Sequence, residues 1–439
     1  MDQIERRTFV QAAAATSLAL TLPAAGQEKV ASPPRAVGPL LGHVDCERAI
    51  VWFRAARAGE VVLRVFPREA DGAAGKRTTR SFRATAKEEH DLCLTWSIDG
   101  LAAGQEYVAE VVPSAATGSD ALPRCVIRTS PADDAPAQVK LAFGSCASST
   151  KFFDVWDRIA TAGADAIVLL GDTPYIDKTD LATNRAKHRE FLSIPNLAEL
   201  IRTRPLWATW DDHDFGANDS DGTIKNKDLI RQAFCEYRGL ASYGDGEHGI
   251  YTKFRYGPVE VFLVDPRYFS QTEPSPVDAT QKTCLGKTQW NWLLDGLAKS
   301  TAPFKILATG MIWDDKKNKE KDDWHTYAHE REALFDYIAE KKITGVLLIG
   351  GDIHVSRHLK YPLQDRLLHQ CIVSPLHDRV LPVLNVPHPA LVWGEPLPHV
   401  FLQLIADATK SPTTLTANWI NRDGELLHTF SVTTKDLSS

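Results

Sequence analysis

Four apolar runs in this chain end in side chains that could bind metal ions. The runs are VKLAFGSC with Cys146, AIVLLGDTPY with Asp172 and Tyr175, LWATWDDHD with Asp211 to Asp214, and VLLIGGDIH with Asp352 and His354. Thiolate and imidazole groups favour transition metals, whereas carboxylates favour hard cations. A phenolate beside a thiolate favours a trivalent ion, of which ferric iron is the expected one. The set therefore predicts a pair of metal ions of different hardness.

The WDDHD cluster is the strongest of the four. Its ionisable residues, Asp211 to Asp214, directly follow an apolar strand and would repel one another unless a cation were present. Asp352 and His354 lie two residues apart, so an extended segment directs both to one side. A lone Asp or Cys after a strand is more often a cap or a core residue, and GDTPY alone is equally compatible with a tight turn. Together, however, the four clusters favour a metal site.

The sequence around these residues predicts a layered α/β domain, whose strands must position them. From Val139 onward, short apolar runs alternate with amphipathic stretches such as Phe153–Ala162 and Glu330–Lys341, which is typical of helices over a buried sheet. The predicted strands are Val139–Phe143, Ala166–Leu170, Leu206–Trp210, Val259–Val264, Lys305–Thr309 and Val346–Ile349. Open α/β sheets bind ligands at the carboxyl ends of their strands, so the clusters are expected to converge. Leu415–Thr434 predicts a terminal hairpin.

Residues 38–130 have a different pattern, which predicts an all-β sandwich. Short segments rich in Val, Ile and aromatic residues are separated by turns without a helical period; they are Arg48–Ala55, Glu60–Phe66, Glu106–Val112 and Arg124–Thr129. Tyr107 in LAAGQEY resembles the corner of a fibronectin type III-like domain, where a Tyr hydroxyl ties a loop to the sheet. PADDAPA, at 131–137, is typical of a linker. The second domain is predicted at 138–439.

The first twenty-six residues predict a secretory signal. Arg6-Arg7 precedes an apolar stretch from Ala12 to Leu22 and the small residues Ala24-Ala25-Gly26, and paired arginines indicate the twin-arginine type. The apolar stretch is shorter than the ~20 residues that cross a bilayer, so no membrane span is expected in the mature chain. Residues 27–37 would be a linker, the export machinery a partner, and the mature chain periplasmic or extracellular. The alternative is an ordinary N-terminus without a signal.

The amino-acid composition excludes several classes of protein. The chain has 439 residues, with 44% hydrophobic and 24% charged, which excludes a disordered chain or a membrane bundle. Lys+Arg 50 against Asp+Glu 56 gives a net charge of −6 without a basic run, so nucleic-acid binding is not indicated. Seven cysteines leave at least one thiol unpaired, and the sequence assigns no disulfide.

FGSC, GDTPY, WDDHDFG and GGDIH, in this order, resemble the signature of the PhoD-like alkaline phosphatases, a branch of the calcineurin-like metallophosphoesterases. The resemblance continues through 249–269, 285–293 and 324–331. It implies an α/β layered metallophosphoesterase domain, a β-sandwich core flanked by helices, preceded by the fibronectin type III-like sandwich. It also implies an iron site of Cys146, Asp172, Tyr175 and His354, and a calcium site, bridged by Asp172, that has Asp212, Asn218 and Asp352. Other divalent metals stay open as occupants.

Hydrolysis of small-molecule phosphomonoesters is the function that the resemblance implies. Two cations would neutralise the phosphate oxygens and lower the pKa of a water molecule, so that hydroxide attacks phosphorus. His213 is predicted to protonate the leaving alkoxide. Arg267 either clamps a phosphate oxygen or pairs with a loop carboxylate. His325 and His329 are weaker pocket candidates, and Asp211 and Asp214 are expected to lie behind the ligands.

The sequence leaves three alternatives to phosphomonoester hydrolysis to be considered. The same site could act on phosphodiesters or phospholipids, as a phospholipase D does, or it could belong to a non-catalytic metal- or phosphate-binding protein. His213 argues against pure binding, which has no use for an imidazole beside the metals. An adhesion protein led by the sandwich would not bury the charges of WDDHD. The sequence does not determine the physiological substrate.

Overall fold

The computed structural model describes residues 35–68, 79–118, 122–314, 322–364 and 366–437. The strands in these ranges are β1 Val37–Val44, β2 Arg48–Arg54, β3 Gly59–Pro67, β4 Arg80–Ala86, β5 Cys93–Asp99, β6 Glu106–Val111, β7 Cys125–Arg128, β8 Gln138–Gly144, β9 Ala166–Leu170, β10 Leu206–Thr209, β11 Thr252–Tyr256, β12 Val259–Leu263, β13 Phe304–Ala308, β14 Val346–Gly350, β15 Ser356–Leu363, β16 Arg366–Ile372, β17 Leu391–Glu395, β18 Val400–Asp407, β19 Thr414–Asn421 and β20 Leu426–Thr433. The helices are α1 Asp154–Thr161, α2 Leu181–Leu192, α3 Pro195–Ile201, α4 Asp212–Phe215, α5 Lys227–Tyr237, α6 Gly286–Lys299 and α7 Ala328–Glu340. The signal predicted at 1–26 lies outside the described residues.

The first seven strands form the predicted β-sandwich. One sheet has the order β1-β2-β5 and the other β4-β3-β6-β7, and all their pairings are antiparallel. In β3, Val61, Leu63 and Val65 are buried while Arg64 between them is exposed, so alternate residues face the core. The hydroxyl of Tyr107 accepts a hydrogen bond from the Ala102 N–H at 2.9 Å. This contact confirms the predicted fibronectin type III-like corner.

Two larger sheets form the second part of the chain. Their orders are β10-β9-β8-β18-β19-β20 and β11-β12-β13-β14-β16-β15-β17. Alternate residues of β12 enter different cores: Val261 and Leu263 join the core shared with the first sheet, and Phe262 packs among residues of α6 and α7. A sheet buried on both faces needs helices outside. The result is the predicted metallophosphoesterase layering, a β-sandwich core flanked by helices.

The sequence pattern located the site-bearing strands better than the surrounding helices. Every strand predicted after Val139, both predicted helices and the terminal hairpin are present, with ends that differ by one or two residues. After Val139, the pattern missed β11, β15 to β18 and the helices α2 to α6. In α2, the buried positions include Asn184 and His188 beside Phe191 and Leu192, so its apolar stripe is interrupted. Among the described residues, we find no helix with the length and apolar character that a membrane span requires.

Candidate metal centre

The predicted ligands all follow the carboxyl ends of parallel strands. β8, β9 and β10 are parallel in one sheet, and β12, β13, β14 and β16 are parallel in the other. Cys146 follows β8, Asp172 and Tyr175 follow β9, Asp212 and His213 follow β10, and Asp352 and His354 follow β14. Parallel strands end at one edge of a sheet, and the two sheets bring these edges together.

Glycine permits the close approach of two of these loops. Gly171, directly before Asp172, has φ of 98°, and a Cβ added to it would lie 2.4 Å from the Asp211 Cβ. A side chain here would both strain the backbone and overlap the neighbouring loop. The glycine is therefore required for Asp172 and Asp211 to share one site.

Four candidate ligands have a left-handed backbone. Cys146, Asp172, Asp352 and His354 have φ of 56°, 53°, 66° and 53°. For non-glycine residues this conformation costs on the order of 1–3 kcal/mol each and persists only where surrounding contacts impose it. Its concentration at these four positions indicates that the loops are shaped for ligand geometry.

The residues expected to bind iron converge. Cys146 Sγ lies 3.4 Å from Asp172 Oδ2, and Tyr175 Oη lies 2.9 Å from His354 Nε2. Cys146, Asp172 and His354 each place one ligand atom within 4.8 Å of the others. A thiol, a carboxylate, an imidazole and a phenol thus lie close together.

A carboxylate cluster adjoins this group. Asp212 shares ligand-atom groups with Asp172 and His213, with Asp211 and Asp352, and also with Asp219 and Asp322. Asp172 thus belongs to the thiolate group and to the carboxylate group, which is the position of a bridging ligand. Asn218 lines the same cavity, and its Nδ2 donates to Asp219 Oδ1 at 2.8 Å.

Electrostatics at the centre favour bound cations. Burial raises the pKa of the Cys146 thiol and of Tyr175. Burial, and then the charges of Asp212 and Asp211, raise the pKa of Asp172 well above its ordinary value. Asp172 Oδ1 and Asp211 Oδ2 are buried and have no hydrogen-bond partner among the described residues. Buried carboxylates without donors are costly unless a cation is present, so the residues present fit a pair of metal ions.

His213 lies beside the carboxylates and has an orienting partner. Its Nδ1 is 2.5 Å from Asp177 Oδ1, and its ring centroid is 4.7 Å from that of Tyr175. These contacts hold the imidazole at the cavity that Asp172 and Asp212 line. The arrangement is compatible with the predicted proton donor, which stays a prediction.

Arg267 forms an ion pair with Asp211, and a pair with a loop carboxylate was one of its two predicted roles. It is 1% exposed, and its Nε donates to Asp211 Oδ1 at 2.7 Å while Nη2 also contacts Asp211. Asp322 lies 3.4 Å from Nη2. Although burial lowers its pKa, Asp211, Asp212 and Asp322 raise it well above the ordinary value. The phosphate-clamp role remains a prediction.

Other candidates lie around the centre. Asp214, expected behind the ligands, accepts hydrogen bonds from the backbone N–H groups of Asp172, Thr173 and Asp211. His325 is exposed, and His329 lies 4.0 Å from Glu330. Neither histidine belongs to the ligand groups found among the described residues.

A fifth polar cluster, which the sequence pattern did not reveal, also reaches the centre. His377 Nε2 lies 3.0 Å from Tyr175 Oη, and the Ser374 hydroxyl donates to Cys146 Sγ at 3.2 Å. Both residues follow β16, which is parallel to β14, so they reach the same edge. The polar segment SPLHD, directly after the partly apolar run LLHQCIV, was the available signal. Arg379, just beyond it, also lines the cavity.

Comparisons with known proteins relate this chain to phosphatases. The family model described as PhoD-like phosphatase matches residues 141–370. Alkaline phosphatase D from Bacillus subtilis (strain 168) is 26% identical over an alignment of 292 residues that covers 55% of this chain and 50% of that protein. The alignment thus spans about half of the relative's length.

Two solved structures share the fold. The structure of PhoD aligns with a TM-score of 0.74 at 19% identity, over 92% of this chain and 90% of that one. A purple acid phosphatase from yellow lupin (Lupinus luteus) seeds aligns with a TM-score of 0.66 at 12% identity, over 92% and 75%. The family match covers more than half of the chain and contains every strand end that carries a predicted ligand. This chain therefore belongs to the PhoD-like phosphatase family.

Proposed function

We propose that the chain is an exported metal-dependent phosphoesterase that hydrolyses phosphomonoesters. One observation carries the proposal: a thiolate-containing group and a carboxylate group meet at Asp172, which belongs to both. Membership of a phosphatase family supports the reaction class. Pure structural roles for so many buried ionisable groups would leave their desolvation without compensation.

The donor sets suggest which ion binds where. Cys146, Tyr175 and His354 with Asp172 suit ferric iron, whereas Asp212, Asn218 and Asp352 offer the oxygen ligands that calcium prefers. Other divalent metals are alternatives for either position. When bound, the two cations would neutralise phosphate oxygens and make hydroxide available near neutral pH.

The protein's own groups would do the rest. Asp177 engages Nδ1 of His213, which leaves Nε2 as the nitrogen that gives a proton to the leaving alkoxide. Arg267 is committed to Asp211, so Arg379 is the better candidate for binding phosphate oxygens, because it is exposed and lines the cavity. Leu381 and Leu384 line the same cavity and would exclude water from one side of the ester.

Export and the domain limits belong to the same proposal. The Arg6-Arg7 signal over residues 1–26 would direct the chain to the twin-arginine machinery, with 27–37 as a linker. The proposed limits are 38–130 for the sandwich and 138–439 for the catalytic domain; the strands support them, since those of the sandwich lie within 37–128 and those of the two larger sheets within 138–433. Cell fractionation of the full chain and of an Arg6→Lys, Arg7→Lys variant tests this step: the wild type should be exported and the variant retained.

Metal analysis with a matched cysteine control tests the enzyme. Cys146 and Cys371 are both 0% exposed, but only Cys146 lies in the metal group. The wild type and Cys371→Ser should contain about one iron per chain and hydrolyse p-nitrophenyl phosphate when calcium is added. Cys146→Ser should lose iron and turnover.

The outcomes separate the alternatives. A higher kcat/KM on bis(p-nitrophenyl) phosphate than on the monoester would move the assignment to phosphodiesters. Bound metals without hydrolysis of either ester would indicate a binding protein. A wild type that takes up neither iron nor calcium would refute the metal assignment itself.

A further inference from the structure

The N-terminal sandwich contacts a short segment of the second domain, residues 236–239. The Trp52 indole N–H donates to the Glu236 carbonyl at 2.7 Å, and the His43 backbone N–H donates to the Gly239 carbonyl at 2.6 Å. A Cβ added to Gly42 would lie 2.1 Å from the Gly239 oxygen, so the two backbones are in direct contact. The sandwich therefore fixes both ends of the segment Glu236–Gly239.

The side chain of Tyr237 adds a third attachment to the sandwich. Its hydroxyl donates to Asp91, whose carboxylate also pairs with Arg54 at 3.1 Å. Its ring lies 5.7 Å from that of Trp52. Tyr237 is 1% exposed and the Asp91 side chain is 20% exposed, so these contacts are partly shielded from water, which strengthens them relative to surface contacts of the same kind.

Arg238 reaches the metal loop. It has an extended backbone with φ of −127° and is 2% exposed. Its Nη2 donates to the Thr173 carbonyl at 2.7 Å. Burial lowers its pKa to about 10, and the charge of Asp214 opposes that effect. A charged group this deeply buried needs its partners, which are the Thr173 carbonyl, the Tyr237 carbonyl at 3.2 Å from Nη1 and the charge of Asp214.

The loop that carries Asp172 is thus held from two sides. Asp214 accepts hydrogen bonds from the N–H groups of Asp172 and Thr173, while Arg238 holds the Thr173 carbonyl. Asp172 has a left-handed backbone, with φ of 53°, that such contacts must maintain. Removing the contact of Asp214 or that of Arg238 should let the Asp172 carboxylate, which the two predicted metal sites share, move.

We propose that the contacts of the sandwich with the second domain help to position Asp172 in the metal centre. Arg238 is the positioning residue through which these contacts act on Asp172. This inference rests on the proposed function, since it takes Asp172 to be a metal ligand. The sequence of the sandwich did not predict this role. The support runs from Trp52 and His43, through Glu236–Gly239, to Thr173.

Two tryptophans of the sandwich provide a matched pair for the test. Trp52 and Trp96 are 2% and 3% exposed, but only the Trp52 N–H contacts the second domain; the Trp96 N–H has no hydrogen-bond partner among the described residues. Trp52→Phe should weaken calcium binding to the full-length, iron-loaded protein about tenfold, the low end of the range for groups that support metal ligands. Trp96→Phe should leave calcium affinity unchanged.

Arg238 variants test the second link. Arg238→Met should lose about 10–100-fold in calcium affinity, and Arg238→Lys should recover most of it because an ammonium group can still donate to Thr173 and face Asp214. Calorimetric calcium titration measures this, with kcat, KM and the melting temperature for each variant. Affinity and kcat should fall while KM for p-nitrophenyl phosphate changes less.

The results distinguish two failures. If the wild type binds calcium and turns over, but Trp52→Phe matches Trp96→Phe, the positioning role is wrong while the proposed function stands. Equal losses in Arg238→Lys and Arg238→Met would also contradict it. A wild type that binds no metal overturns the proposed function and this inference with it.

Discussion

Replacing Arg267 with Met separates the two roles that the sequence left open for this residue. If Arg267 serves mainly as the buried partner of Asp211, the substitution should lower stability and leave substrate affinity nearly unchanged. Were it a phosphate clamp, KM should rise while the melting temperature stays the same. The geometry favours the first result, because Nε and Nη2 both contact Asp211 Oδ1.

The expected loss follows from burial. Both side chains of the pair are 1% exposed, and removing one partner of a buried pair costs about 3–5 kcal/mol, because the other charge is left uncompensated. With an unfolding entropy of ~2.1 cal/mol/K per residue, a cooperative unit of roughly 400 residues would then melt about 5 °C lower. The exposed pair of Arg48 and Asp99, 45% and 62% exposed, is the control, and Arg48→Met should cost less than ~1 kcal/mol.

The assay combines thermal unfolding with steady-state kinetics on p-nitrophenyl phosphate. The double variant Asp211→Asn, Arg267→Met should be more stable than the sum of the single losses predicts, by ~0.5–3 kcal/mol, since the uncompensated charge is gone. A melting temperature within 1 °C of the wild type, together with a KM raised about tenfold, would refute the ion-pair reasoning and restore the clamp.

Three further predictions concern the loops and the C-terminal strands. Gly171→Ala should abolish metal uptake measured by elemental analysis, because its Cβ would lie 2.4 Å from Asp211; normal metal content would contradict this steric reading. Burial lowers the pKa of His358 to about 3 and of His369 to about 4, below the ordinary ~6.5, so the unfolded chain binds protons first. The contribution of these histidines to the free energy of unfolding is therefore fully present above pH ~6.5, and it should fall toward pH ~4 by up to ~1.4 kcal/mol per pH unit for each histidine. Urea unfolding midpoints measured across this pH range should show the fall, and His369→Asn should make the pH dependence flatter. His213→Ala should lower kcat on an alkyl phosphate about 10²–10⁴-fold but much less on p-nitrophenyl phosphate, whose leaving group needs no proton, and equal losses on both esters would argue against a general acid.

The sequence was most informative about residues that follow strands. An apolar run that ends in glycine and a polar cluster identifies a strand end, and parallel strands place such ends at one edge. Cys146, Asp172 and His354 therefore converge as predicted, although the sequence separates them widely. The same logic would have found His377 after β16, had the interrupted apolar pattern of that strand been recognised.

Pairings between loops could not be read in this way. The partner of Arg267 depends on how closely β10 and β12 bring their ends together, and both a carboxylate and a phosphate oxygen suit a guanidinium group. Similarly, nothing in the local sequence of Arg238 points to Thr173, because their contact depends on the position of α5 against the β9 loop.

The sequence by itself thus determined the layered fold, the all-β sandwich and the set of groups at the strand ends, because these follow from local periodicity and residue chemistry; the fibronectin type III-like character of the sandwich came from the resemblance at Tyr107. The tertiary structure alone decided which buried charges neutralise one another, which further groups such as His377 and Arg379 reach the centre, and how the sandwich contacts Gly239. Those features depend on distances of a few ångströms between segments far apart in the chain, which residue periodicity does not encode.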